Sequence, residues 1–315
     1  MTMRRLSTVA VSLLITFAAM ADVPVWVRQA IPPTMPESTK TADAVVLLDE
    51  RVLTVAAAGE INTRHRRVVK IQTNAGRDYG YASVAFDKET KLQSLRGWSI
   101  DAKGTQYEVK ERDAVETSPF DGELYSDTRV KVLRIPATDP GSVIAFEYTQ
   151  RERPYLLQTV WHFQEAIPVL RARLQVDMPQ GWTQEAHWSN YQPVAPMQGA
   201  WELRDIPAIK DEPRMPDAAS LAGRAAVIFV SPTGGTRVWG DVATFFERLA
   251  TVRAATTPEI QAKVRELSKP GASSESIRAL ARFAQRDVRY VAIEIGIGGY
   301  QPHAAGDVLR NRYGD

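Results

Sequence analysis

Apolar and polar residues alternate in short runs through the first two thirds of the chain. Over Val169–Met178, Leu170, Ala172, Leu174, Val176 and Met178 fall on one side and Arg171, Arg173, Gln175 and Asp177 on the other, a period of two that predicts a half-buried strand. The same pattern predicts strands over 44–55, 67–73, 106–110, 129–135 and 143–149. The segments Asp101-Ala-Lys-Gly104 and Asp139-Pro140-Gly141 supply turns between them. Short strands at this spacing predict an antiparallel β-sandwich. Trp98, Tyr107, Phe146, Tyr148, Trp161, Phe163, Trp182, Trp188 and Trp201 punctuate it. Aromatics at alternating strand positions form core and cross-strand pairs more often than a sugar-stacking surface, so they are read as core.

The rhythm changes after Lys210. Pro207, Pro213 and Pro216 interleaved with charged residues cannot pair regularly, which predicts a strap or linker, followed by a short strand over 225–230. From Trp239 the period becomes helical, with Val242, Phe245, Phe246 and Leu249 on one face. Thr257-Pro258-Glu259 reads as N-cap, N1 proline and first-turn acid, and Ile277, Leu280, Ala281 and Ala284 form a third apolar stripe behind Ser273 or Ser274. A β-branched run over 288–295, a loop Gly296-Ile-Gly-Gly299 and a short helix near 304–310 follow. The expected organisation is α+β: a sandwich over 22–210, a linker over 211–236 and a helical segment over 237–315.

The first residues stand outside that scheme. Arg4-Arg5, an apolar run over 6–19 and the small-x-small site Ala19-Met20-Ala21 read as a cleaved signal peptide, residues 1–21, rather than an anchor. Export to the periplasm or cell envelope is the expectation, with a mature chain that is not transmembrane. Removing Arg4 and Arg5 turns 39 Lys+Arg against 37 Asp+Glu into 37 against 37. A formally neutral chain without a long basic run argues against nucleic acid as a partner. Arg64-His65-Arg66-Arg67, the nearest such run, reads as a solvated strand face. Cysteine is absent from the 315 residues, which excludes thiol catalysis and Cys-based metal sites within them.

Candidate chemistry is sparse. The four histidines, His65, His162, His187 and His303, have no metal-ligand spacing, and no Gly-x-Ser-x-Gly occurs. Gly296-Ile-Gly-Gly299 lacks the third glycine of a dinucleotide fingerprint and the Gly-Lys-Ser/Thr of a P-loop, so it reads as a glycine-rich turn. Neither metal nor cofactor is expected.

The last stretch is more specific. Asp287-Val-Arg-Tyr290-Val-Ala-Ile-Glu294, Gly298-Gly-Tyr300-Gln301-Pro302, Ala305, Val308-Leu309 and Arg312-Tyr313-Gly314-Asp315 together resemble the approach to the active site of bacterial transglutaminase-like proteins, in which the pattern continues Gly-Asp-Cys-Lys-Asp. The upstream order resembles proteins with a DUF3857 domain ahead of a transglutaminase-like, papain-like core: signal peptide, β-rich domain, strap with Glu212 and Met215-Pro216, Trp239, then helices.

The resemblance implies a cysteine opening a helix, with histidine and aspartate completing a triad, and a peptide or protein amide as substrate. It places the nucleophile immediately after Asp315, so this chain is expected to be inactive by itself. Arg312, Gly314 and Asp315 become the active-site turn, with Arg312 bracing it. Gln301 is an oxyanion donor or a loop brace, and Tyr300 lines the cleft. The alternative is a non-catalytic envelope module whose sandwich binds a protein or glycan.

Overall fold

A computed structural model describes residues 22–119, 124–235, 238–271 and 273–314, with only the backbone of Leu124. The expected signal peptide, residues 1–21, and Asp315 lie outside the described residues.

The strands are β1 (Ala44–Val55), β2 (Ile61–Ile71), β3 (Tyr81–Phe86), β4 (Thr90–Ile100), β5 (Gln106–Lys110), β6 (Val115–Thr117), β7 (Leu124–Ser126), β8 (Arg129–Arg134) and β9 (Val143–Glu152). They continue as β10 (Gln158–His162), β11 (Val169–Asp177), β12 (Thr183–Ser189), β13 (Ala200–Ile206), β14 (Arg224–Val230), β15 (Arg289–Tyr290), β16 (Ala292–Glu294) and β17 (Tyr313–Gly314). The helices are α1 (Val25–Ala30), α2 (Ala218–Leu221), α3 (Trp239–Arg253), α4 (Pro258–Leu267), α5 (Ser273–Arg286) and α6 (Ala305–Asn311).

A seven-stranded sheet in the order β13-β11-β1-β2-β9-β4-β5 forms one layer. On its inner face lie two three-stranded sheets, β10-β14-β12 and β3-β8-β6. Trp161, Phe163, Val227 and Phe229 of the first meet Val46, Leu53, Ile61, Leu174 and Trp201 in one core. Ala82, Val84 and Leu133 of the second close over Leu95 in another. Part of the outer face is covered by α1, whose Val27, with Val23 just before the helix, joins Val45, Leu47, Val68 and Trp98. The result is a two-layer sandwich in which alternate residues of β1 and β2 face opposite cores.

Two expectations are corrected. The sandwich is not wholly antiparallel, because β1 and β11 pair in parallel, Val46 opposite Val169. The segment 211–236 is also more than a linker. Its strand β14 is the central strand of the second sheet, paired to both β10 and β12, and Val227 and Phe229 are fully buried. The sandwich therefore extends to Val230. Proline density marks only the strap before it.

The basic run Arg64–Arg67 is a strand whose side chains part to opposite faces, not a solvated face. His65 lies inside, 5% exposed, beside Asp49. Its Nε2 is 3.1 Å from Asp49 Oδ1, Arg67 Nη1 donates to Asp49 Oδ2 at 2.8 Å, and Arg67 Nη2 donates to Glu165 Oε2 at 2.7 Å.

Arg64 and Arg66 point outward. Arg66 belongs to a register row that crosses all seven strands as Lys110, Arg96, Glu147, Arg66, Glu50, Arg173 and Glu202. Charge alternates from Arg96 to Glu202. Arg66 Nε donates to Glu147 Oε2 at 2.5 Å, and Arg173 Nη1 donates to Glu50 Oε2 at 3.1 Å.

Candidate functional site

The stretch that carries the resemblance folds as one small unit. α5 leads into an extended run, 289–294, whose two halves pair in parallel with different partners. β15 pairs with β17, and β16 pairs with β7, which precedes β8 in the chain. Between them and α6 the Gly296–Gly299 segment forms a single 3-10 turn, in agreement with the glycine-turn reading.

Thr257 caps α4, its Oγ1 accepting from the Ile260 N–H at 3.3 Å. Helix α6 approaches this cap through Gly306, where a Cβ would stand 2.9 Å from Thr257 Cγ2.

Helix α6 ends at Arg312, which adopts φ +63°, the left-handed conformation that reverses a chain after a helix. Its N–H donates to Val308 O at 2.9 Å, and its own carbonyl accepts from the Arg289 N–H at 2.8 Å. The guanidinium carbon lies 4.8 Å from the ring centroid of Phe283 on α5. Arg312 thus braces the turn through its backbone and by stacking on an aromatic ring.

Gly314 is buried, and its carbonyl accepts from the Val291 N–H at 2.9 Å. A Cβ there would come within 2.5 Å of Val308 Cγ2. Glycine is required because strand β17 passes directly against α6.

Tyr300 and Gln301 sit on the other side of this unit. The Tyr300 ring is 5.1 Å from Tyr155 of the sandwich and 6.0 Å from Phe245 of α3. Gln301 is half-buried, its N–H donating to Ile297 O at 3.1 Å, and its side-chain amide makes no hydrogen bond among the described residues.

Two depressions flank the unit. A cavity of about 220 Å³ between the sandwich and the 294–300 segment is lined by the acids Asp87, Glu89, Asp127, Glu152 and Glu294, with Arg153 and Tyr300. Burial, reinforced by Asp87, raises the Glu152 carboxyl above its usual value. A more apolar groove of about 470 Å³ is lined by Tyr125, Arg289, Val291, Ile293, Ile295 and Tyr313. Tyr300 therefore opens on the acidic cavity, whereas Tyr313, the neighbour of Gly314, opens on the apolar groove. Of the expected site residues among those described, only Tyr300 lines either depression; Gln301, Arg312 and Gly314 line neither.

No group of three or more His, Asp or Glu side chains is placed to hold a metal among the described residues. No described helix is long and apolar enough to cross a membrane.

The cluster at Asp49 escaped the sequence reading. Burial opposes charge on Asp49, yet His65, Arg67 and Arg51 hold its carboxyl far below the usual range. Burial likewise pushes the His65 imidazole below its ordinary value, only partly offset by Asp49. A neutral His65 donates Nε2–H to Asp49 and leaves Nδ1, which has no partner, as an acceptor; an unpartnered donor would cost more. Phe146 and Tyr148 meet the imidazole edge-on at 5.5 and 5.1 Å. Aromatic rings and strands enclose His65 and Asp49, whereas Glu165, at the edge of the cluster, is 33% exposed. Alternation through 61–71 was the one signal that could have placed His65 and Arg67 inside.

Residues 57–210 match the family model described as a domain of unknown function with a solved structure, DUF3857. No curated protein matches the chain in sequence. Among solved structures, the chain is similar to a crystal structure described as a "putative protease" from Parabacteroides distasonis ATCC 8503. The TM-score is 0.68 at 17% identity, covering 87% of this chain and 56% of that one. At that identity the likeness is one of fold, and this chain spans little more than half of that protein's length. Yeast leukotriene A4 hydrolase with bestatin (12% identity, covering 74% of this chain and 40% of that one) and an M1 zinc metallopeptidase from Deinococcus radiodurans (12%, covering 67% and 54%) both give TM-scores of 0.29, too low to support an argument about fold.

Proposed function

We propose that residues 239–314 form the leading part of a transglutaminase-like core in an exported, periplasmic or envelope cysteine enzyme of the acyl-transfer or peptidase type, with the sandwich ahead of it. The observation that carries this reading is the turn at Arg312–Gly314. A left-handed helix end, a glycine pressed on α6 and a parallel pairing to the 289–294 run deliver the chain to one fixed point beside an apolar groove. On this reading Asp315 and a following cysteine continue from that point, and the groove receives the substrate or the next segment of the core.

The chemistry would run through the thiolate. The cysteine sulfur adds to an amide carbonyl carbon, and the tetrahedral oxyanion collapses with loss of the amine, which takes a proton from the histidine. The resulting thioester then passes its acyl group to a second amine or to water. Gln301 and Tyr300 are carried by the same segment, Gln301 with an amide that makes no hydrogen bond among the described residues and Tyr300 between Tyr155 and Phe245. These 315 residues hold no cysteine, so the chain by itself is inactive on this reading.

Reading the gene through codon 316 tests the proposal. A cysteine codon there, with histidine and aspartate codons downstream, supports it. Expressing that longer product should give iodoacetamide-sensitive release of amine from a peptide amide, abolished by serine at the new cysteine. A stop codon or a different residue at position 316 rejects it.

A further inference from the structure

The outer face of the seven-stranded sheet beyond α1 has no part in the proposed acyl transfer, and its chemistry is unlike that of the rest of the chain. The cross-strand row described above carries four cations, Lys110, Arg96, Arg66 and Arg173, against three acids. The next two register rows add Arg64, Arg151 and Lys91 against the single acid Asp177. One extra cation in the row and two below it leave a surplus of three within these rows of a mature chain that is formally neutral overall, with Glu108 beside Lys110 and Glu60 beside Arg151 at their margins.

The surplus was invisible in the linear sequence because the cations come from five different strands. Lys91, Arg96 and Lys110 are exposed, and Arg64, Arg66, Arg151 and Arg173 are half-exposed. Carboxylates at their sides hold several guanidinium groups in place: Arg64 lies 3.6 Å from Glu50, and Arg151 3.7 Å from Glu60.

The same rows present Ser94, Thr149, Asn62 and Gln175 between these cations, all half-exposed. Ser94 Oγ and Thr149 Oγ1 already share a hydrogen bond at 2.7 Å across β4 and β9. A flat surface of hydroxyls, amides and pre-positioned guanidinium groups can bind carboxylates and sugar hydroxyls together. The lower rows hold no aromatic residue on which a nucleobase could stack and no large exposed apolar side chain to enter a bilayer.

We infer that this sheet face is a docking surface for an acidic polysaccharide, whose carboxylates engage Arg64, Arg151 and Lys91 and whose hydroxyls meet Ser94, Thr149 and Asn62. The inference is independent of the acyl-transfer reading and stands if that reading fails.

Titrating the whole chain with polygalacturonate oligomers, followed by calorimetry, tests it. Neutral dextran, duplex DNA and phosphatidylglycerol vesicles serve as comparators. The expected result is saturable binding that weakens with salt and is tighter than to any comparator. The triple reversal Arg64→Glu, Arg151→Glu, Lys91→Glu should weaken it by at least about tenfold. The pair Ser94→Ala, Thr149→Val should weaken it about three- to tenfold with the salt dependence unchanged, because it removes hydroxyl contacts and no charge. A thermal unfolding midpoint close to the parent's confirms that each variant is folded, and a single reversal, Arg64→Glu, replaces the triple if it is not.

Polygalacturonate binding no tighter than dextran, or undiminished in the reversal variant, overturns the proposal. Equal or tighter binding to DNA or vesicles overturns the polysaccharide assignment and leaves a generic anion surface.

Discussion

The two parts of the chain solve the problem of burying apolar surface to very different extents. The sandwich hides Trp161, Phe229, Leu174 and Ile61 completely between its layers, whereas α3, α4, α5 and α6 contain no buried residue among the described ones. Trp239 is 86% exposed, Val252 75% and Ile277 67%, although α5 has a clear apolar stripe. A helix of this kind draws most of its stability from what its apolar face touches. The sandwich carries its own partner for every sheet, and the helices do not. Their apolar faces are therefore suited to receiving another surface, as a transglutaminase-like core would require.

Core truncation should separate the two parts most sharply. Phe229→Ala should cost about 3–5 kcal/mol in urea unfolding, as expected for a large side chain removed from a packed interior. Phe246→Ala in α3 should cost under about 1 kcal/mol, because its site is already 41% exposed. Similar losses at the two positions would remove the distinction.

A somewhat smaller effect is expected at the buried ion cluster. Asp49→Ala leaves Arg67 and the His65 ring without their shared carboxylate and should destabilise the sandwich by about 3 kcal/mol. A loss below about 1 kcal/mol would mean that solvent already reaches the cluster.

In the C-terminal unit, Gly314→Ala should cost about 1–3 kcal/mol locally, through the clash with Val308. Faster exchange of the Arg289 and Val291 amides would report it while the sandwich transition stays in place.

The pH response should also divide by region. Burial lowers the His65 and His162 imidazoles from 6.5 in the folded chain, with Arg51 and Arg224 adding to the effect at His162. The unfolded chain therefore takes up protons first. Stability is full above about pH 6.5 and is lost as pH falls through the folded values. Urea midpoints measured across this window should fall toward acid, and His65→Gln should flatten the curve. Glu152, at the end of β9 in the acidic cavity, has the opposite sign: its raised carboxyl favours the folded state most below about pH 4.5 and loses that contribution as pH rises through its folded value. Glu152→Gln should accordingly raise stability slightly at neutral pH.

Much of this was legible where local chemistry agreed with tertiary context. The β-branched, apolar run through Ala44–Val55 predicted β1 with its observed bounds, and Thr257-Pro258-Glu259 marked the start of α4 because capping is decided within one turn. The strand over 225–230 was visible, but not its central place in a sheet, which depends on pairing with segments some forty to seventy residues earlier. β4 was missed because Ser94, Arg96 and Gly97 interrupt its alternation; the structure explains Gly97, where a Cβ would stand 3.0 Å from both Ile135 and Val109.

At the candidate site, the order of residues 287–315 indicated a turn and a glycine. It could not indicate that Tyr300 and Tyr313 line different depressions, since that depends on Tyr155 and Tyr125 of the sandwich. Arg64–Arg67 misled because four polar residues in a row hide the period of two that sends His65 and Arg67 inward.

Amide hydrogen exchange on the whole chain tests the contrast between the two parts most directly. Peptides from 44–71, 169–177 and 224–230 should exchange slowly, governed by global unfolding, and 239–286 should exchange faster by at least about a hundredfold, governed by local opening. Protection of the helices equal to that of the sandwich would contradict it, because it would show that residues 239–286 need no further surface to be stable.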